Sequence, residues 1–291
     1  MASLERCQPL LGTFVEISLR GDCSEDELLR LSSAAFAQIR LVDEAMSFHR
    51  PDSELSELNR NAAQRACLIS PALREVLAEA LWLSRLSGGL FDVSTAAKLV
   101  HNKQLPDPGI RVDRRANWED IDLQGATVRF TRPLLIDLGG IAKGYAVDQA
   151  MQVIPDEIQC TINAGGDLRM NHWQGQRVGI RIPDSEQLRE LPMRAAALAS
   201  SVSLQTRNDV VIIDPRCGNA VEDPRSYSVF ASTAMRADGL TKIAVLGQRR
   251  GDGELLRRAG GIALIIDADG EVTELSGPTG VPEPQALAAC S

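Results

Sequence analysis

Concentrated positive charge is missing from this 291-residue chain. No basic run of five or more residues occurs, and the formal net charge is -8. A nucleic-acid surface needs locally dense lysine and arginine, so no nucleic-acid partner is expected. Paired cysteines are missing as well: Cys7, Cys23, Cys67, Cys160, Cys217 and Cys290 are scattered, with no C-x-x-C spacing. That pattern argues against a zinc site or a dense disulfide framework and for free thiols in a reducing compartment. No apolar run reaches the roughly 20 residues of a membrane span. The opening residues, Met1-Ala2-Ser3-Leu4-Glu5-Arg6-Cys7, also lack the apolar stretch of a signal peptide. A cytoplasmic protein with no membrane span is the expectation. Histidine is scarce too, with only His49, His101 and His172.

What is present is an ordinary globular composition, 44% hydrophobic and 24% charged. The length allows one large domain over residues 1–291 or two closely associated ones. Residues 14–19 alternate as a strand, and Gly21-Asp22 ends it. Ser24 and Glu27 then have capping-box spacing, followed by a helical stripe of Leu28, Leu31, Ala35, Ile39, Val42 and Met46. Ser70-Pro71 begins a second helix that Gly88-Gly89 stops. Residues 121–130 read as a hairpin broken at Gln124-Gly125, and residues 134–136 as a buried strand. A helix over about 143–154 ends before Pro155. Further strands are expected at residues 160–163, 178–182, 210–213, 228–231 and 262–266, with a helix starting near Ala237. Strands and helices mix without strict alternation, which favours an α+β fold over a doubly wound parallel sheet.

The most informative segment is residues 137–148. Asp137, Gly139-Gly140 and Lys143 fall between an apolar run and an amphipathic helix. Glycines permit close backbone approach, a helix start offers unpaired N–H donors, and lysine adds a full charge. Together they suit an anionic ligand, phosphate first.

Several ordered motifs make the chain resemble the FAD:protein FMN transferase family, also known as ApbE. They are Gly12-Thr13, Met46-Ser47, Ser53-Glu54, Asn59, Gly88-Gly89-Leu90-Phe91-Asp92, residues 137–148, Asn163-Ala164-Gly165-Gly166-Asp167, Asp214-Pro215-Arg216 and Ala237-Asp238-Gly239-Leu240. The resemblance implies an α+β, T-fold-like architecture with mixed and antiparallel sheets and packed helices. It also implies transfer of FMN from FAD, with Mg2+, onto a threonine or serine hydroxyl of an acceptor protein, releasing AMP. Such phosphoryl transfer depends on positioning and on neutralising charge at phosphorus. The resemblance assigns Met46 to the flavin ring and Leu90, Phe91 and Asp92 to the nucleotide. Asp137, Lys143 and the Ala164-Gly165-Gly166 turn would cradle the pyrophosphate, with Lys143 and Asp238 catalytic. Gly140, Asp238 and an oxygen of the following helical turn would hold the metal.

Two departures stand out. The family's threonine four residues after the aspartate is Lys242 here, and Thr241 lies one residue earlier. Thr241 as metal ligand is the favoured reading, since a charged lysine has no lone pair to give; a Lys242 ammonium in the cation's place is the alternative. Where many members carry histidine, this chain has Val210-Val211, which cannot move a proton. None of the three histidines is at that place, Asp214 could serve as base only if its surroundings raised its pKa, and Cys217 reads as a packing residue. Three functions follow: an active flavin transferase, a flavin-binding protein without transfer, or an FAD pyrophosphatase.

Overall fold

The computed structural model of the chain describes residues 1–203, 212–247 and 253–275. Strands β1 (Ala2–Leu10) and β2 (Thr13–Gly21) form an antiparallel hairpin in which Val15, Ile17 and Leu19 of β2 point into the core. The following helix α1 (Glu25–Met46) starts where the Ser24 hydroxyl accepts the Glu27 N–H at 3.2 Å, and its apolar stripe is buried as the spacing predicts. A short helix α2 (Glu54–Asn61), capped by Ser53, and the two-residue strand β3 (Cys67–Leu68) lead to α3 (Pro71–Ser87). Ser70 caps α3, Pro71 fills its first turn, and Gly88 ends it at φ 60, a left-handed conformation that glycine adopts freely.

Helix α4 (Ala96–His101) precedes the hairpin β4 (Ile121–Gln124) and β5 (Thr127–Phe130), which joins β3 in a three-stranded sheet. Helix α5 (Ala142–Gln152) comes next, then the hairpin β6 (Gln159–Ala164) and β7 (Asp167–Met170). The pair β8 (Arg177–Arg181) and β9 (Leu188–Pro192) stands apart as a two-stranded sheet, and β10 (Ala197–Ser203) and β11 (Asp223–Ala231) return to the main one. Helices α6 (Ala234–Gly247) and α7 (Gly253–Arg258) precede β12 (Ile262–Ile266) and β13 (Val272–Glu274).

The main sheet has eight strands in the order β1, β2, β6, β7, β10, β11, β12, β13, and every pairing is antiparallel. The α+β reading therefore holds, and a doubly wound parallel sheet is excluded. Helix α1 lies on β1 and β2, α5 on β6 and β7, and α6 on β10 and β11, each helix touching the next. Most of the core lies between these helices and the sheet, and a smaller apolar cluster around Leu168, Ile180 and Phe230 lies towards β8. Among the described residues no helix is long and apolar enough to cross a membrane.

Three expectations need correction. Residues 134–136 are buried but form no strand. The side chain of Asn59 takes the place of a neighbouring strand: it accepts the Ile136 N–H and donates to the Ile136 carbonyl, both at 2.9 Å. The helix expected near Ala237 begins at Ala234, because Asp148 and Thr233 cap it there. Of residues 210–213, Val210 and Val211 lie outside the described residues, and Ile213 makes only an isolated bridge to Ala220.

Candidate functional site

Asn59 fixes the backbone just before Asp137, and the Asp137 N–H continues the tie by donating to the Val93 carbonyl at 2.9 Å. The chain can then turn sharply. Asp137 accepts the Gly139 N–H at 3.1 Å, and α5 starts three residues later. On one side of this turn a cleft opens. Its apolar wall is formed by Leu90, Phe91, Leu99 and Leu246, and its polar corner by Asp92, Asp137, Gly139, Gly140 and Lys242. Burial raises the carboxyls of Asp92 and Asp137 above the usual carboxylate range. For Asp137 the Gly139 N–H and the charges of His49 and Lys242 work the other way. His49 itself is exposed.

Helices α5 and α6 bring a second group of charges together. The Lys143 ammonium stands 3.2 Å from the buried Asp167 carboxylate, which holds the ammonium well above its ordinary range. Asp167 is itself pushed up to about 6, first by burial and then by repulsion from Asp238, against the pull of Lys143 and Lys242. Asp238 is buried on α6, and one of its carboxylate oxygens accepts the Gly144 N–H at 3.3 Å. The other oxygen meets the Lys242 ammonium in an (i, i+4) ion pair. Lys242 Nζ also donates to the Asp238 carbonyl at 3.2 Å. Lys242 thus belongs to both groups, at the cleft and against Asp238.

The crossing of α5 and α6 is held by Asp148, whose two carboxylate oxygens accept the N–H groups of Ala234 and Met235 at 2.9 Å each. A carboxylate at a helix start is favoured by both the hydrogen bonds and the helix dipole. Arg169 pairs with the same carboxylate. At Gly144 a Cβ would fall 2.2 Å from the Ala234 carbonyl oxygen, so this close crossing requires glycine.

Of the residues expected at the site, Leu90, Phe91, Asp92, Asp137 and Gly140 come together in the cleft. Asp92 is also committed locally, accepting from the N–H and hydroxyl of Ser94 at 2.7 and 2.6 Å. Asp238 and Thr241 are buried on α6, and Lys143 is half-buried on α5. Met46 ends the buried stripe of α1, 4% exposed, and does not line the cleft. The Ala164-Gly165-Gly166 turn joins β6 to β7, with Gly165 against Thr13 and Gly166 against Ser200 rather than in the cleft. Asp214 is bound by its neighbour Arg216 through three hydrogen bonds. Asn59, Asp148 and Asp167 also shape the site, although residue type and spacing alone assign them no role there. A buried polar residue is the signal for each, but its partner is set by the fold.

The expected metal ligands are arranged differently from the favoured reading. Thr241 is fully buried; its hydroxyl donates to the Asp238 carbonyl at 2.7 Å and accepts from Ser201 at 2.9 Å. Each Asp238 carboxylate oxygen already has a partner, Gly144 N–H on one and the Lys242 ammonium on the other. A hard divalent cation needs several free oxygen ligands, and an ammonium already on the same carboxylate repels it. With the Lys242 ammonium on Asp238, the side chains present do not fit a resident Mg2+.

An antiparallel α+β fold thus carries a glycine-turned polar corner beside an apolar cleft. A family model for the ApbE family matches residues 11–266, and the chain belongs to that family. It is 30% identical over 245 residues to the FAD:protein FMN transferase of Vibrio cholerae, covering 72% of this chain and 71% of the relative. It is 28% identical over 248 residues to the protein of that name from Haemophilus influenzae, covering 73% and 71%. Among solved structures, the ApbE protein of Thermotoga maritima superposes with a TM-score of 0.81 at 20% identity, covering 96% of this chain and 98% of that one. The flavin transferase ApbE of Vibrio cholerae does so at 0.77 and 24% identity, again covering 96% and 98%. These two likenesses confirm the fold.

Proposed function

We propose that this chain is an FAD:protein FMN transferase. The reading rests on the cleft, which sets an apolar wall of Leu90 and Phe91 against a polar corner of Gly139, Gly140 and Lys242. A dinucleotide with a flat ring system and a central pyrophosphate needs both surfaces in contact. The named relatives support the same activity.

In the proposed reaction, a threonine or serine hydroxyl oxygen of an acceptor protein attacks the phosphorus of the FMN half of FAD. The P–O bond to the adenylate breaks, AMP leaves with the bond's electron pair, and the hydroxyl proton is released. The residues of this chain would act by position and charge. Gly139 and Gly140 let the pyrophosphate approach the backbone, Asp137 shapes the turn, and Lys242 offsets phosphate charge. Lys143, tied to Asp167, supports the field from behind, and Asp238 holds Lys242 in place. Mg2+ enters no step, because the Lys242 ammonium already sits on the Asp238 carboxylate.

Mass spectrometry of a candidate acceptor after incubation with FAD tests this directly. A mass gain equal to FMN on a threonine or serine, matched by AMP release, is expected. Bound FAD with no such gain on any acceptor and no AMP would instead establish a flavin-binding protein without transfer. That second reading is motivated by Val211, which stands where many members carry histidine. AMP release without acceptor would identify an FAD pyrophosphatase.

A further inference from the structure

We propose that the Lys242 ammonium replaces the divalent cation at the pyrophosphate corner, so that this chain binds FAD without added metal. The inference rests on the flavin reading above and deepens it.

The position of Lys242 is over-determined by its surroundings. Its ammonium bonds both a carboxylate oxygen and the main-chain oxygen of Asp238, one helical turn earlier on α6. Its aliphatic stem runs over Gly140, where a Cβ would come 3.3 Å from Lys242 Cε. A side chain at that position would press on the stem, and glycine leaves it unobstructed. The side chain is 19% exposed and lines the same cleft as Asp137, Gly139 and Gly140. Its charge acts on Asp137 and Asp167 as well as on its own partner.

The hydrogen-bond arithmetic is specific. An ammonium has three donors and no acceptor. Two are used on Asp238, and the third remains for a phosphate oxygen entering the cleft. A metal in the same place would draw on oxygens of Asp238 and Thr241, which are already paired with Lys242, Gly144 and Ser201. A tethered cation also carries no separate binding equilibrium, since it is present whenever the chain is folded.

The test is FAD affinity, read from quenching of flavin fluorescence, for the full chain in excess EDTA and again in millimolar MgCl2. Equal affinity in the two conditions is expected. Lys242→Ala should weaken binding in EDTA by about tenfold or more, the loss expected for one charge-assisted hydrogen bond. Lys242→Arg, which keeps a cation, should stay closer to the parent. Melting curves of both variants check that they fold. Parent protein that binds FAD only with Mg2+, or that tightens tenfold on its addition, overturns this inference and leaves the flavin reading intact. So does Lys242→Ala that binds like the parent in EDTA. Parent protein that binds no FAD in either condition overturns the flavin reading itself, and this inference with it.

Discussion

Replacing Gly144 by alanine tests whether the contact between α5 and α6 holds the site together. A Cβ at this position falls 2.2 Å from the Ala234 carbonyl oxygen and 2.7 Å from the Met235 nitrogen. Unstrained non-bonded contacts to carbon lie near about 3.5 Å, so the helices must part by about 1 Å. The obstruction is backbone, and no side-chain rotation relieves it. Two effects oppose each other. Alanine favours a helix interior over glycine by about 1 kcal/mol. Against that, overpacking costs about 1–3 kcal/mol, and parting the helices strains the two bonds from Ala234 and Met235 to Asp148. Bonds of that charged kind contribute about 1.5–3 kcal/mol each. The losses win, with a net destabilisation of about 3 kcal/mol. At about 2–4 °C per kcal/mol, the thermal midpoint should fall by about 6–12 °C. Calorimetry or circular dichroism measures it directly. Gly125→Ala is the comparison, because its Cβ meets nothing within 4 Å and its cost comes only from φ +58, about 1–2 kcal/mol. If Gly144→Ala melts with the parent, or no lower than Gly125→Ala, the crossing is not tight and the reasoning is refuted.

Asn59→Ala should cost about 3 kcal/mol in urea unfolding, because it leaves the buried N–H and carbonyl of Ile136 unpaired. It should also weaken FAD binding by loosening the turn at Asp137, and a cost under about 1 kcal/mol would mean those groups find other partners. The Asp167 carboxyl gives a pH dependence. Its folded value of about 6 lies above the ordinary 3.8, so the native state holds this proton more tightly than the unfolded chain. The stability it contributes is present at low pH and is lost as pH rises through about 6. Protonation also removes a negative charge beside Lys143, so the FAD dissociation constant should fall as pH falls through about 6. Asp167→Asn should flatten that profile, and an unchanged profile in the variant would assign the titration to another group.

The parts of the fold legible in the sequence are those whose causes are local. Helices α1 and α3 announce themselves through Ser24, Ser70, Pro71 and Gly88 and through apolar stripes that the core then buries. Strand β1 does not, because its inward row includes Arg6, which lies over the Phe36 ring at 5.3 Å and bonds Ser32. A charged side chain with a long apolar stem can fill an apolar site that a hydropathy pattern misses. Residues 134–136 mislead in the opposite way. A buried apolar run looks like a strand whether its backbone is paired by a ladder or by a side chain, and here the partner is Asn59, 77 residues away. The glycine turn at residues 139–140 is legible as an anion corner because backbone access is a local property. Its charge partners are not, because Lys143 finds Asp167 only after α5 docks on β7.

Thr241 and Lys242 show where local reasoning runs out. On a helix both positions neighbour Asp238, three and four residues on, so spacing alone does not choose between them. The docking of α6 on β10 and β11 makes the choice. It turns Thr241 towards the sheet, where Ser201 of β10 meets its hydroxyl, and leaves Lys242 on the side that faces Gly140 and the cleft. A ligand set inferred from residue type would favour threonine, because it has lone pairs and lysine has none. The sheet contact favours the other reading, since a hydroxyl that donates to Asp238 and accepts from Ser201 is held towards the sheet. The cation at this corner is therefore set by which side of α6 the sheet covers, and that side leaves the cleft to Lys242.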